Sequence, residues 1–174
     1  MAAVHSLRTR LTAALTTRPG AAAWRAMGRE MAWLVPLILL CGWLGGFVRF
    51  GAGAETGELA RLAIVAIVAP ALGEEILFRV LPIPRVEEDR SAALLIAVSI
   101  AAFVAWHPLQ AAIFGAAKVP VFLDPWFLLA VAGMGLALAR LYRASGSIWP
   151  CVALHWLVVV GWKAFFGGPP NPFA

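Results

Sequence analysis

Five apolar stretches, at about Met31–Phe50, Leu59–Leu81, Ala92–Ala116, Trp126–Tyr142 and Ile148–Phe166, take up most of this 174-residue chain. A helix needs about 20 residues to cross a ~30 Å hydrocarbon layer, and each stretch comes close to that length. None alternates with a period of two, which argues against a transmembrane barrel. At 62% hydrophobic and 13% charged residues, the chain has too little polar surface to cover a soluble core. The expected fold is therefore all-α: a polytopic transmembrane helical bundle of about five spanning helices, preceded by an amphipathic helix on the membrane surface.

Two regions follow from this pattern, a basic amphipathic segment over 1–30 and a transmembrane domain over 31–174. Val4, Leu7, Leu11 and Leu15 recur at helical spacing among arginines and threonines, as in a helix lying on a bilayer. Arg8, Arg10, Arg18, Arg25 and Arg29 all precede the first apolar stretch and dominate the net charge of +5. That bias puts the N-terminus in the cytoplasm, against anionic head groups, and five crossings put the C-terminus outside. No basic face is interleaved with stacking aromatics, so nucleic acid is not an expected partner. An organelle transit peptide has a similar composition, whereas a cleaved secretory signal fits poorly because the apolar run starts late and is too long. A bacterial inner membrane is the expected location. Cys41 and Cys151 lie in apolar runs without metal-ligand spacing and read as small core residues.

The loops divide the stretches. Prolines and charges over 82–91 mark an inner turn, 119–125 an outer one, and 145–150 a second inner turn. In that last turn Ser147 is a candidate helix N-cap, with Pro150 in the first helical turn. Trp33, Trp126 and Trp149 lie near the ends of apolar stretches, as interfacial anchors do.

Against this background the second stretch is anomalous, because Glu74, Glu75 and Arg79 lie inside it. A charge at bilayer depth costs roughly 2.5 kcal/mol or more on insertion scales, so such residues mark function by default. Glu75 and Arg79 are spaced i,i+4 and can pair, while Glu74 points about 100° away on the helix. A pair that only fixes helix packing accounts for one acid and the base, not for the second acid. Glu74 is left free for proton transfer. His107 shares a helix face with Phe103, and equal chain lengths on either side of the turn near Arg90 bring it to the depth of Glu74. His155 lies eight residues beyond Ser147, about 12 Å into the membrane. These three groups can meet in one inward-facing cavity; His5, in the N-terminal segment, has no evident part.

Two chemistries suit the trio. Glu74 could deprotonate a water held with His107 while His155 donates to the oxyanion of an attacked amide. Alternatively the histidines and a carboxylate could hold zinc, although no HExxH is present and the ligands would come from three helices. Serine catalysis has little support without a Gly-x-Ser-x-Gly turn, and a buried thiol such as Cys151 is normally inert.

The order Glu-Glu-x-x-x-Arg (74–79), Phe-x-x-x-His (103–107) and a late His after Gly-Ser-Ile-Trp-Pro (146–150, then 155) resembles the CAAX protease and bacteriocin-processing (CPBP) family over about residues 60–162. The resemblance implies an intramembrane glutamic-type endopeptidase needing no cofactor or metal, with Glu74 as base and Glu75 and Arg79 in support. It further implies that His107 positions water and His155 donates to the oxyanion. The substrate would be a membrane-anchored or hydrophobic peptide or protein, cut near its C-terminal or anchoring end. A binding or immunity protein that keeps the fold without proteolysis is the alternative. The family's Asn, one turn after the late His, aligns with Val159, and the small residue after the Arg is Val80. Gln110, one turn beyond His107, is the candidate replacement amide.

Overall fold

The computed structural model describes residues 7–51, 53–86, 88 and 92–168, and among them every regular element is helical. His5, Val4 and most of the 87–91 turn lie outside the described residues. A short helix α1 (Leu7–Thr16) precedes α2 (Ala21–Leu44). A broken helical segment then covers 56–80 and includes α3 (Thr56–Ala66) and the single turn α4 (Gly73–Glu75). It is followed by α5 (Ala93–Phe114), α6 (Pro125–Ser145) and α7 (Trp149–Phe166). Helices α2, α5, α6 and α7 are each long and apolar enough to cross a membrane.

The first spanning helix starts ten residues before the expected Met31. Pro19 ends the preceding run and Gly20 takes an extended conformation (φ −80°, ψ 176°), so the new helix begins at Ala21. Trp33 consequently lies within the helix rather than near its end, and its indole donates to Glu30 at 2.8 Å. Arg140 of α6 reaches the other oxygen of Glu30 at 3.1 Å, which ties α6 to α2.

The segment 56–80 departs most from a regular span. Helix α3 gives way to wide π-type turns over Ile67–Leu72, then to the α-turn α4, and to π-type turns again over Ile76–Val80. Pro70 explains the first interruption: it lacks an N–H and pushes Ala69 into an extended conformation (φ −133°, ψ 116°). Interrupted backbone inside a bilayer must find other partners. The Trp156 indole donates to the Ala63 carbonyl at 2.7 Å, and the Ser99 hydroxyl donates to the Phe78 carbonyl. π-turns of this kind are frequent at functional sites, and here they flank both glutamates and carry Arg79.

Helix α6 is the most buried of the four long apolar helices. Its small residues Ala130, Ala137 and Ala139 let neighbours approach closely, and a Cβ at Gly133 would run into Leu37 of α2. Asp124 caps it, accepting from the Phe127 amide at 2.9 Å. Ser147 is not the expected N-cap of α7, since Ile148 occupies that position. Its hydroxyl instead donates to the Thr17 carbonyl at 2.7 Å and accepts from the Trp149 amide at 3.4 Å.

That bond belongs to a set that docks the N-terminal end against one end of the bundle. The Ile148 amide donates to the Ala14 carbonyl (3.1 Å), the Trp149 indole to Leu15 (2.8 Å), and Arg10 pairs with Glu88 (2.8 Å). Ala14, Val80, Ile83, Tyr142 and Ile148 are all buried there, so α1 acts as a plug between the broken helix and α7.

Candidate active site

The packing of separate elements brings all five polar residues singled out in the sequence to the middle of the bundle. Glu75 and Arg79 pair as their spacing predicts, Nε to Oε2 at 3.2 Å, and both are fully buried. The other oxygen of Glu75 is taken by His155, whose Nδ1 lies 2.8 Å away. A carboxylate only accepts, so Nδ1 carries the proton in this contact. Arg79, Glu75 and His155 thus form one buried chain of charge linking the broken helix to α7. The Arg79 guanidinium also stacks 4.4 Å above the ring of Phe103.

Glu74 faces the other way, as the 100° offset requires. Its Oε1 accepts from the Trp106 indole at 3.0 Å, and its Oε2 is 3.9 Å from Nε2 of His155. The two acids are therefore divided by their surroundings. Glu75 is enclosed by a guanidinium and an imidazole, whereas Glu74 is on the wall of a cavity of about 380 Å³.

His107 and His155 line the same cavity. The Nδ1 of His107 lies 2.9 Å from the Phe103 carbonyl, which accepts and therefore assigns the proton to Nδ1. Nε2 is left as the free ring nitrogen. Phe103, Phe122 and Phe127 surround this imidazole, with ring centroids at 5.2, 5.3 and 5.4 Å. Phe103 is the common packing centre of the site, against Arg79, His107 and, at 6.0 Å, His155.

Gln110 and Val159 also line the cavity, and the Gln110 side chain is only 7% exposed. Two features of the site have no counterpart in the sequence reading: the indole of Trp106 on Glu74, and the bond from His155 to Glu75. An indole N–H in an apolar helix needs a partner, and that is the available signal for the first.

The cavity has an apolar end remote from α1. Its wall includes Phe47, Phe114, Phe122, Trp162 and Gly168, at the end of the bundle away from α1. Ile83 and Ile148, beside α1, are buried and are not part of the cavity wall. Helix α3 packs on α7, while α5 packs on α6 and the 76–80 turns, and the cavity lies between the two groups. Two of its lining residues, Val65 and Leu77, are 43% and 46% exposed, so the cavity wall runs out to the lipid-facing surface of the broken helix. Among the described residues, no three His, Cys, Asp or Glu side chains are disposed as a metal site.

A carboxylate and two imidazoles lining one apolar cavity are groups that can exchange protons with water or hydrogen-bond a polar ligand there. A family model for type II CAAX prenyl endopeptidases, described as Rce1-like, matches residues 56–161. That stretch is more than half of the chain and holds Glu74, Glu75, Arg79, His107 and His155, so the protein belongs to this Rce1-like family of intramembrane proteases, within the CAAX protease and bacteriocin-processing group. No curated protein and no solved structure matches the chain. With four apolar helices long enough to span a bilayer, it is an integral membrane protein.

Proposed function

We propose that the protein is an intramembrane endopeptidase that hydrolyses a peptide bond near the C-terminal or membrane-anchoring end of its substrate, using water activated by glutamate. The observation that carries this reading is the position of Glu74, the one acid on the cavity wall among the described residues, between Trp106 and His155. Glu74 removes a proton from water as its oxygen attacks the scissile carbonyl, and His107 Nε2 accepts the second hydrogen bond of that water. The carbonyl electrons move onto oxygen. His155, oriented through Nδ1 by Glu75, turns Nε2 toward that oxyanion as its hydrogen-bond donor. The Gln110 amide supplies a second donor in place of the asparagine that Val159 replaces. Collapse expels the amine, which takes the proton from Glu74.

Purified protein should cleave membrane-anchored peptides near their tails, with no loss on addition of chelators. His107→Ala and His155→Ala should abolish cleavage, and Gln110→Ala should lower turnover by about 10²–10³, the usual effect of removing an oxyanion donor. Chelator inhibition would transfer the water activation to a bound metal, and unchanged turnover in Gln110→Ala would remove that residue from the reaction. Val159 on the cavity wall favours a second reading, a binding protein that keeps the fold. Intact biological activity with Glu74, His107 and His155 all replaced would select it.

The same proposal sets the N-terminal end in the cytoplasm of a bacterial cell, because Arg8, Arg10, Arg18, Arg85 and Arg143 crowd that end of the bundle. The Phe47, Phe114 and Trp162 end of the cavity then lies toward the other side. A cysteine introduced at Arg18 should resist a membrane-impermeant thiol reagent in intact cells; rapid labelling would reverse the orientation.

A further inference from the structure

Glu74 is carried by the least regular part of the chain. π-type turns precede and follow it, over Ile67–Leu72 and Ile76–Val80, and Arg79, the nearby cation on that segment, is taken by Glu75. A carboxylate on a flexible side chain needs an outside hold if it is to meet one water in one geometry. The hold comes from α5. The Trp106 indole donates to Oε1 at 3.0 Å, while Oε2 stands 3.9 Å from Nε2 of His155, beyond hydrogen-bond reach. Trp106 directly precedes His107, whose ring is itself fixed through Nδ1 by the Phe103 carbonyl. Two neighbouring side chains of one regular helix therefore reach the two groups that the proposed reaction sets around its water. The residue type fits this hold. Phenylalanine would fill apolar space without a polar atom, whereas an indole N–H away from water is costly unless it finds an acceptor.

We propose that Trp106 is the positioning residue for Glu74. By occupying Oε1 it leaves Oε2 as the oxygen that takes the proton from water, and it sets that oxygen relative to the water held at His107 Nε2. The assignment rests on the proposed peptidase reading; the indole–carboxylate bond does not. In this role Trp106 acts through Glu74 and not on the substrate. Trp156 gives the contrast within the same fold: it directly follows His155, and its indole donates to the Ala63 carbonyl, so it braces the backbone of the broken helix rather than a reacting side chain.

Two variants isolate the N–H. Trp106→Phe removes it with part of the ring, and benzothienylalanine at the same position keeps the bicycle with sulfur in place of the N–H. Against a membrane-anchored peptide that the unsubstituted protein cleaves, both should lower kcat by about 10–10²-fold with KM within about twofold, as a misplaced base does and lost binding does not. An unchanged kcat in the benzothienyl variant, or a rise in KM alone, makes Trp106 a wall of the cavity and overturns the assignment. The indole N–H resonances of protein with isotope-labelled tryptophans, in lipid nanodiscs, read the contact without any turnover. The Trp106 signal, identified by its loss in Trp106→Phe, should move upfield in Glu74→Leu while that of Trp156 holds. A Trp106 signal that stays, or an equal movement of both, overturns the contact and the assignment with it. If the Trp106 signal moves as expected but the unsubstituted protein cleaves no peptide, the peptidase reading fails, the reactive role of Trp106 falls with it, and the indole–carboxylate bond stands.

Discussion

Glu74→Gln is expected to lower peptide hydrolysis by about 10²–10⁴-fold while leaving the unfolding transition in detergent unchanged. The amide is isosteric and its oxygen can still accept from the Trp106 indole, which now bonds Oε1 at 3.0 Å. What it cannot do is take a proton from water. Stability should also hold because Glu74 is on the cavity wall and makes no ion pair with Arg79, whose partner is Glu75. A decrease of less than tenfold would remove Glu74 from the role of base. A large loss of stability would mean that the residue is structural.

The largest effect on stability is expected at Arg79. Replacing it with Met leaves the Glu75 carboxylate fully buried with only the His155 imidazole for company. Breaking one side of a buried pair costs about 3–5 kcal/mol, mostly because the remaining charge is uncompensated. Adding Glu75→Gln to Arg79→Met should recover the greater part of that loss, since no charge is then stranded. Activity should not recover, because His155 would face a neutral amide in place of the carboxylate that orients it. Unfolding in mild detergent, followed for both variants, checks the sign and the size. If the double variant is as unstable as the single one, the loss comes from the stacking of Arg79 on Phe103 and not from charge.

Much of this architecture is legible in the amino-acid chain. A membrane helix must be apolar over its length, so long apolar runs report spans directly, and charges inside them stand out by their cost. The i,i+4 spacing of Glu75 and Arg79 reports a pair because helix geometry makes those positions neighbours. Helix α2 starts ten residues ahead of its apolar run because Ala21–Glu30 is polar enough to read as surface. Its helical continuity is decided locally, by Pro19 and Gly20. The broken form of the second stretch is hidden for a different reason. Pro70 announces an interruption, but whether the chain bends, widens or ends there depends on an outside group, here the Trp156 indole, which donates to the Ala63 carbonyl.

The sequence by itself determined that this is an all-helical membrane protein and that Glu74, Glu75, Arg79, His107 and His155 are its chemically costly residues. Composition and local spacing set those properties, and both act over a few neighbouring positions. Only the tertiary structure decided that His155 bonds Glu75, that Trp106 holds Glu74, and that Glu74, His107 and His155 line one cavity. Those contacts join residues 32 and 80 positions apart, and their formation depends on how separate helices turn against one another. Helix rotation and tilt follow from packing at Gly133, Phe103 and the π-turns, and no local pattern records them.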